Sequence, residues 1–255
     1  MTETARALKC LASRPGARAR VICMPYAGGG PESFRGWADE LGADIEAWAA
    51  VLPGHAGRLS EPLPDDLRAV ADVTATAIAS LPPLPTALFG HSMGAWLALE
   101  CAHALVRRGA RPTMLFVSGR AAPGFERHSA FAHLPDRDFL RVLHERFDGL
   151  PPEIAASAEI MDVFLPVLRA DVSMLERYVA TAETPLDMPI HVLAAAGDRA
   201  LAHPGAIDSW EGTTTGPVRA HRFEGGHFYL HDQRDAVTEL IRRLVDPLDA
   251  SAQNR

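Results

Sequence analysis

Hydrophobic and polar positions along this chain follow two rhythms: short apolar runs of strand length, and longer stretches spaced like one buried face of a helix. Ala19 to Met24 reads as a buried strand, and Ile45 to Leu52, Thr86 to Phe89, Thr113 to Val117, Ile190 to Ala195 and Val218 to Phe223 read as further strands. Each run ends in glycine, proline or other turn residues. Helical spacing fills most of the gaps. Ser33 to Leu41 places Phe34, Trp37, Ala38 and Leu41 on one face. Asp65 or Asp66 caps a helix through Leu81 with a stripe of Leu67, Val70, Val73, Ala77 and Ile78. Ala95 to Val106 runs until Gly109 stops it, and Asp235 to Val245 closes the chain before a frayed 246–255. The stretch before Ala19 reads as loose.

Strands alternating with helices predict a single α/β domain over 1–255, with a mostly parallel central sheet and helices on both faces. From Ala121 to Asp187 the alternation stops. Three helical patterns, 131–147, 152–165 and 167–180, replace it, and such an insertion predicts a helical lid over the carboxyl edge of the sheet. Its large apolar residues pack the lid on itself or line an acyl-sized groove.

Chemistry enters at Gly90-His91-Ser92-Met93-Gly94, where the Thr86 to Phe89 strand turns into a helix. A serine between two glycines at such a turn is a nucleophile elbow, which presents the hydroxyl at the top of the sheet. The following helix directs its amino end at the same point. Asp198 and His227 each stand just past a later strand, and Gly225-Gly226 precede the histidine. Ser92, Asp198 and His227 thus follow the chain order of the α/β-hydrolase triad, and the α/β-hydrolase fold is expected. His91, beside the nucleophile in a sharp turn, is expected to pack rather than react. Pro25-Tyr26-Ala27-Gly28-Gly29-Gly30 follows the first strand, where the backbone can approach a substrate; the amides of Ala27 and Met93 are the candidate oxyanion donors. Tyr26, Phe139, Met161 and Phe228 are the candidate acyl-binding side chains. Arg58 and Glu61 read as solvated loop charges.

Composition removes competing classes. A formal net charge of −7 argues against a nucleic-acid partner, and eleven histidines fall into no metal-ligand spacing. The three cysteines match no disulfide framework, and the chain shows neither a signal peptide nor an apolar run of membrane-spanning length, so a cytoplasmic, metal-free protein is expected.

From about Val21 to Leu244 the chain resembles the type II thioesterases that accompany modular polyketide synthases and non-ribosomal peptide synthetases. The resemblance is carried by Pro25-Tyr26-Ala27-Gly28-Gly29, Leu52-Pro53-Gly54, the elbow, Ser118-Gly119-Arg120, Leu134-Pro135-Asp136, Leu165-Pro166-Val167-Leu168-Arg169-Ala170-Asp171 and Gly225-Gly226-His227-Phe228. It implies hydrolysis of acyl groups, aberrant ones included, from the phosphopantetheine arm of an acyl or peptidyl carrier protein, with no cofactor of the enzyme's own. The family usually carries its acid in a Gly-x-x-Asp turn, where this chain has Ala200. Either Asp198 serves through a shifted turn, or the site lacks its acid. Two further readings stay open: transfer or cyclisation from the same acyl-enzyme, and a non-catalytic carrier-binding module. Arg120, Arg127, Arg137 and Arg141 are either solvated or a docking patch for an acidic carrier.

Overall fold

The computed structural model describes residues 3–125, 130–148, 158–181 and 183–246. Seven strands make one sheet in the order β1-β3-β2-β4-β5-β6-β7. They are β1 (Leu8–Ala12), β2 (Ala19–Met24), β3 (Ile45–Ala50), β4 (Thr86–His91), β5 (Leu115–Ser118), β6 (Ile190–Ala195) and β7 (Val218–Phe223). Only β1 runs antiparallel, along β3; every other pairing is parallel. Parallel strands align their carboxyl ends, so loops far apart in sequence meet on one edge.

Eight helices accompany the sheet among the described residues: α1 (Glu3–Arg6), α2 (Trp37–Glu40), α3 (Leu67–Ala79), α4 (Met93–Arg107), α5 (Asp136–Phe147), α6 (Ala158–Arg177), α7 (Tyr229–Asp232) and α8 (Arg234–Val245). The period of two along β2 shows how they cover it. Ile22 and Met24 face a core shared with α3 and α4, whereas Ala19, Val21 and Cys23 face one shared with Trp37 and α8. Burial on both faces explains why the central strands read as unbroken apolar runs.

Asp66 starts α3, its side chain accepting the N–H groups of Arg68 and Ala69. Elsewhere the boundaries depart from the sequence pattern. The expected helix over 33–41 is a 3-10 turn, Pro31–Phe34, and then α2, because Gly36 at φ +83° breaks the run. The strand β1 falls in the stretch read as loose. The helix expected from Phe131 starts at Asp136: Pro135 has no N–H and holds the residue before it extended. The helices expected on either side of Pro166 are one helix, α6. A proline inside a helix costs about 3 kcal/mol. Here Arg169, one turn on, anchors α6 to the carbonyls of Ala132 and Leu134 and to Asp136.

The lid is built from α5, α6 and the 130–135 stretch, around its own core of Phe131, Ala132, Phe139, Leu143, Leu168 and Val172. Glu176 closes it, accepting the N–H groups of Phe131 (2.6 Å) and Ala132 (3.0 Å). Arg58 is no solvated charge: it is 3% exposed, donating to the Val51 carbonyl (2.8 Å) and to Glu61 (2.6 Å), and it fastens the loop after β3. The expected frayed end from 247 and the helical pattern over 152–157 lie outside the described residues.

Candidate active site

Ser92 sits between β4 and α4 at φ +53°, ψ −114°, a backbone conformation that costs a non-glycine residue about 1–3 kcal/mol. Packing holds it there. A Cβ on Gly90 would overlap the Gly94 carbonyl, and one on Gly94 would overlap the Met24 carbonyl, so the glycines let α4 pack directly on β2 and β4. The Ser92 N–H is taken by the Ser118 carbonyl of β5 at 2.8 Å. The elbow is thus held by backbone on both sides.

His227 and Asp198 come to it from the ends of β7 and β6. The Gly197 N–H donates to the Gly225 carbonyl (2.9 Å), which ties the loop of the acid to the loop of the base. His227 Nδ1 is 2.9 Å from Asp198 Oδ1 and Nε2 is 3.0 Å from Ser92 Oγ. An acid acceptor on Nδ1 keeps the proton there and leaves Nε2 free to take the serine proton. Asp198 Oδ1 also accepts the Ala200 N–H at 3.0 Å. Of the two readings, the geometry favours Asp198 through a shifted turn: its Oδ1 both closes the turn and faces the imidazole, although position 200 is alanine.

His91 packs, as expected of it. Fully buried, it lies 2.8 Å through Nδ1 from Ser118 Oγ, which lies 2.7 Å from the Tyr229 hydroxyl. Burial, then the neighbouring His227 and His231, push its pKa well below the ordinary imidazole value, so it is neutral behind the site.

The loop after β2 faces the elbow. Met93 opens α4, where first-turn amides have no acceptor within the helix. In the facing loop, Gly28 N–H donates to Asp171 (2.7 Å) and Gly29 N–H to the Tyr26 carbonyl (2.9 Å), leaving the Ala27 amide as the loop's candidate donor. Tyr26 and Phe228 make a wall beside the imidazoles, with ring centroids 5.1 Å apart, and Phe228 lies 5.1 Å from His227.

Phe139 is elsewhere. It is fully buried in the lid core, stacked on Phe131 at 5.5 Å and covered by the Arg169 guanidinium at 4.3 Å, so it packs the lid and lines no open groove. Met161 is half-buried on α6. Of the four arginines, Arg120 lies over the Trp96 ring at 4.2 Å, Arg141 is paired with Glu145 (2.9 Å) and Asp138 (3.4 Å), Arg137 is exposed, and Arg127 lies outside the described residues.

Sequence reasoning missed the lid's direct hold on the site. Asp148, one residue past α5, accepts the His227 N–H (2.9 Å), and the Phe147 ring rests 5.1 Å from the His227 ring. On α6, Phe164 covers Gly28 so closely that a Cβ there would come within 2.6 Å of the ring. Isolated lid acids carry no local signal of such partners. Among the described residues there is no cluster of His, Cys, Asp or Glu that could hold a metal, and no helix is long and apolar enough to cross a membrane.

Comparison with known proteins agrees with this geometry. A thioesterase-domain family model matches residues 19–245. Thioesterase PikA5 of Streptomyces venezuelae is 35% identical over 86% of this chain and 78% of its own. The gramicidin S biosynthesis protein GrsT of Aneurinibacillus migulanus is 31% identical over 88% of both chains. Among solved structures, the RedJ thioesterase from the prodiginine pathway of Streptomyces coelicolor superposes with a TM-score of 0.82 at 37% identity, covering 90% of this chain and 87% of that one. The type II thioesterase YbtT of the yersiniabactin pathway does so with 0.82 at 31% identity, covering 94% and 98%. Strands β2 to β7, the elbow and the lid all fall within the family-model match, and the chain belongs to the thioesterase family as a thioester hydrolase.

Proposed function

We propose that this hydrolase removes acyl groups from the phosphopantetheine thioester of acyl or peptidyl carrier proteins in a polyketide or non-ribosomal peptide pathway, clearing stalled or aberrant units. The observation that carries the chemistry is the hydrogen-bonded file from Ser92 through His227 to Asp198 at the carboxyl edge of the sheet. The biosynthetic setting rests on relatives named for such pathways.

In this reading Ser92 Oγ attacks the thioester carbonyl as His227 Nε2 takes its proton. The amides of Ala27 and Met93 receive the developing oxyanion, and Asp198 stabilises the imidazolium. The C–S bond then breaks, the pantetheine sulfur leaves with the proton from His227, and an acyl-Ser92 ester remains. His227 next deprotonates water, whose oxygen adds to the ester; collapse returns the proton to Ser92 and releases the free acid. No metal or cofactor of the enzyme takes part, and the pantetheine arrives with the substrate. Tyr26 and Phe228, beside the imidazole, line the acyl end of the site; Met161 on α6 is the lid's candidate contact. Partners and free cysteines suit the cytoplasm.

Hydrolysis is favoured over transfer or cyclisation by the type II thioesterases among the solved relatives. The test follows products: purified protein with acyl-loaded carrier proteins should yield free acid and holo-carrier, and Ser92→Ala should lower the rate on the order of 10⁶-fold while remaining folded. Hydrolysis by Ser92→Ala within tenfold of the parent would remove Ser92 as nucleophile, and a cyclic or transferred product would move the reaction to transfer.

A further inference from the structure

Beneath the loop that faces the elbow lies a buried acid–base pair that the triad does not use. Asp171 of α6 is fully buried, and its Oδ2 accepts the Gly28 N–H (2.7 Å) and lies 2.9 Å from His55 Nε2. Its other oxygen is buried with no hydrogen-bond partner among the described residues. His55, 3% exposed, turns its second nitrogen to the Pro53 carbonyl at 2.9 Å. A carbonyl only accepts, so Nδ1 carries a proton. Asp171 Oδ2 already accepts from Gly28, so a proton on Nε2 completes the set, and the arrangement is an imidazolium–carboxylate pair.

This pair sits where α6 presses on the loop of Ala27 and Gly28. Phe164, Leu168 and Asp171 follow helical spacing along one face of α6; Phe164 fills the space a Cβ on Gly28 would need, with Leu168 beside it, and Asp171 holds its nitrogen. Gly28, at φ +76°, is the residue directly after Ala27.

We propose that Asp171 and His55 are positioning residues for acyl transfer to Ser92: the carboxylate, held by the His55 imidazolium, pins the Gly28 amide, and thereby sets the Ala27 N–H where the oxyanion forms. The inference rests on the thioesterase reading given above. Catalysis then depends on a lid helix that contributes no residue to the triad.

The charge state adds a pH signature. Burial alone lowers the pKa of His55, but the hydrogen bond and charge of Asp171, the Pro53 carbonyl and the charge of Glu32 outweigh it and hold the pKa above the ordinary imidazole value. The imidazolium, and with it the pair, is therefore lost as the pH rises through that raised value. Placement of the loop weakens on that alkaline side.

The test compares the parent with Asp171→Asn, His55→Gln and His55→Leu in the full chain. It measures kcat and KM on an acyl-N-acetylcysteamine thioester, and the rate at which a fluorophosphonate modifies Ser92. The phosphonyl oxygen occupies the same place as the oxyanion, so this second rate reads the loop even if the natural substrate is not a thioester. Asp171→Asn keeps an oxygen for Gly28 but not the charge. It should lower kcat and the labelling rate together, on the order of 10²-fold, with KM within about threefold and an unchanged melting temperature. His55→Gln, which still offers an N–H to the carboxylate, should recover part of what His55→Leu loses. The parent's labelling rate should decline at alkaline pH, and that decline should be absent in Asp171→Asn.

Labelling by Asp171→Asn within twofold of the parent would overturn the proposal, as would a loss that merely tracks unfolded protein. If Asp171→Asn does not fold, equal labelling by His55→Gln and the parent at every pH would overturn it instead. Nitrogen NMR of the parent's histidines gives a check free of variants: a His55 ring that loses its second proton only above the ordinary imidazole range supports the pair, and one that loses it below that range refutes it. A parent that labels normally yet hydrolyses no thioester would count against the proposed function, while the labelling ratios would still decide the role of Asp171.

Discussion

The sheet edge and the lid hold the same reaction centre by different means. On the sheet side the contacts are backbone to backbone: the Ser92 N–H on the Ser118 carbonyl, the Gly197 N–H on the Gly225 carbonyl, and α4 against β2 through Gly94. On the lid side every hold is a side chain reaching a core loop: Asp148 to the His227 N–H, Phe147 to the His227 ring, and Asp171 and Phe164 to Gly28. Backbone contacts survive most substitutions, so the sheet keeps the catalytic geometry constant. Side-chain contacts can be exchanged one at a time. The lid is thus the part in which rate and chain preference can be adjusted without rebuilding the fold.

The largest effect that would sharpen this contrast is expected at Asp198. Asparagine can keep the oxygen that accepts the Ala200 N–H, so the turn and the fold should survive. It cannot supply the negative charge that stabilises the imidazolium, and the rate should fall by up to about 10⁴-fold. Ala200→Asp should bring no gain, since the carboxylate already faces His227 from position 198. A near-normal Asp198→Asn enzyme would mean that the site runs on Ser92 and His227 alone.

The same contrast explains what could be read in advance. Ser92, Asp198 and His227 were legible because each stands just past a strand and a parallel sheet brings strand ends together whatever their separation. The shifted acid was less so, because a Gly-x-x-Asp spacing says nothing about whether an earlier residue reaches the same imidazole. The edge strand β1 was hidden by its half-buried pattern and the exposed Lys9, which leave no apolar run. Arg58 looked like any loop charge, its burial depending on a carbonyl seven residues back. The lid holds were the least legible: Asp148 and His227 are 79 positions apart, and Asp171 and Gly28 are 143 apart. No local pattern marks an acid whose partner is a backbone amide across the molecule.

Phe139 gives the next effect in size, and it separates lid packing from lid selectivity. It is enclosed by Phe131 and Arg169, so Phe139→Ala should destabilise the lid by about 3–5 kcal/mol through lost burial and the cavity left behind. Amide exchange should speed up in α5 and α6 and stay slow in the central strands. Preference among acyl chains of different length should change less than the lid's protection does. A shift in preference with full protection retained would return Phe139 to the acyl groove.

The smallest effect is expected at Asp148, where the lid touches the base itself. Its carboxylate accepts the His227 N–H at 2.9 Å, while its approach to Arg199 is long, 3.7 Å between partly exposed groups, and adds little. Asp148 also lies at φ +59°, a conformation that asparagine tolerates better than alanine. Asp148→Asn keeps both the acceptor and the backbone preference, and should remain within about threefold of the parent in kcat. Asp148→Ala loses both, leaving the His227 N–H without its acceptor and the end of α5 strained, and kcat should fall by about tenfold, as a lost hydrogen bond of about 1.5 kcal/mol implies. Arg199→Ala is the control and should match the parent, because its ion pair is not what holds the histidine. If Asp148→Ala also matched the parent in kcat, the lid's hold on the base would rest on the Phe147 ring and not on the Asp148 carboxylate.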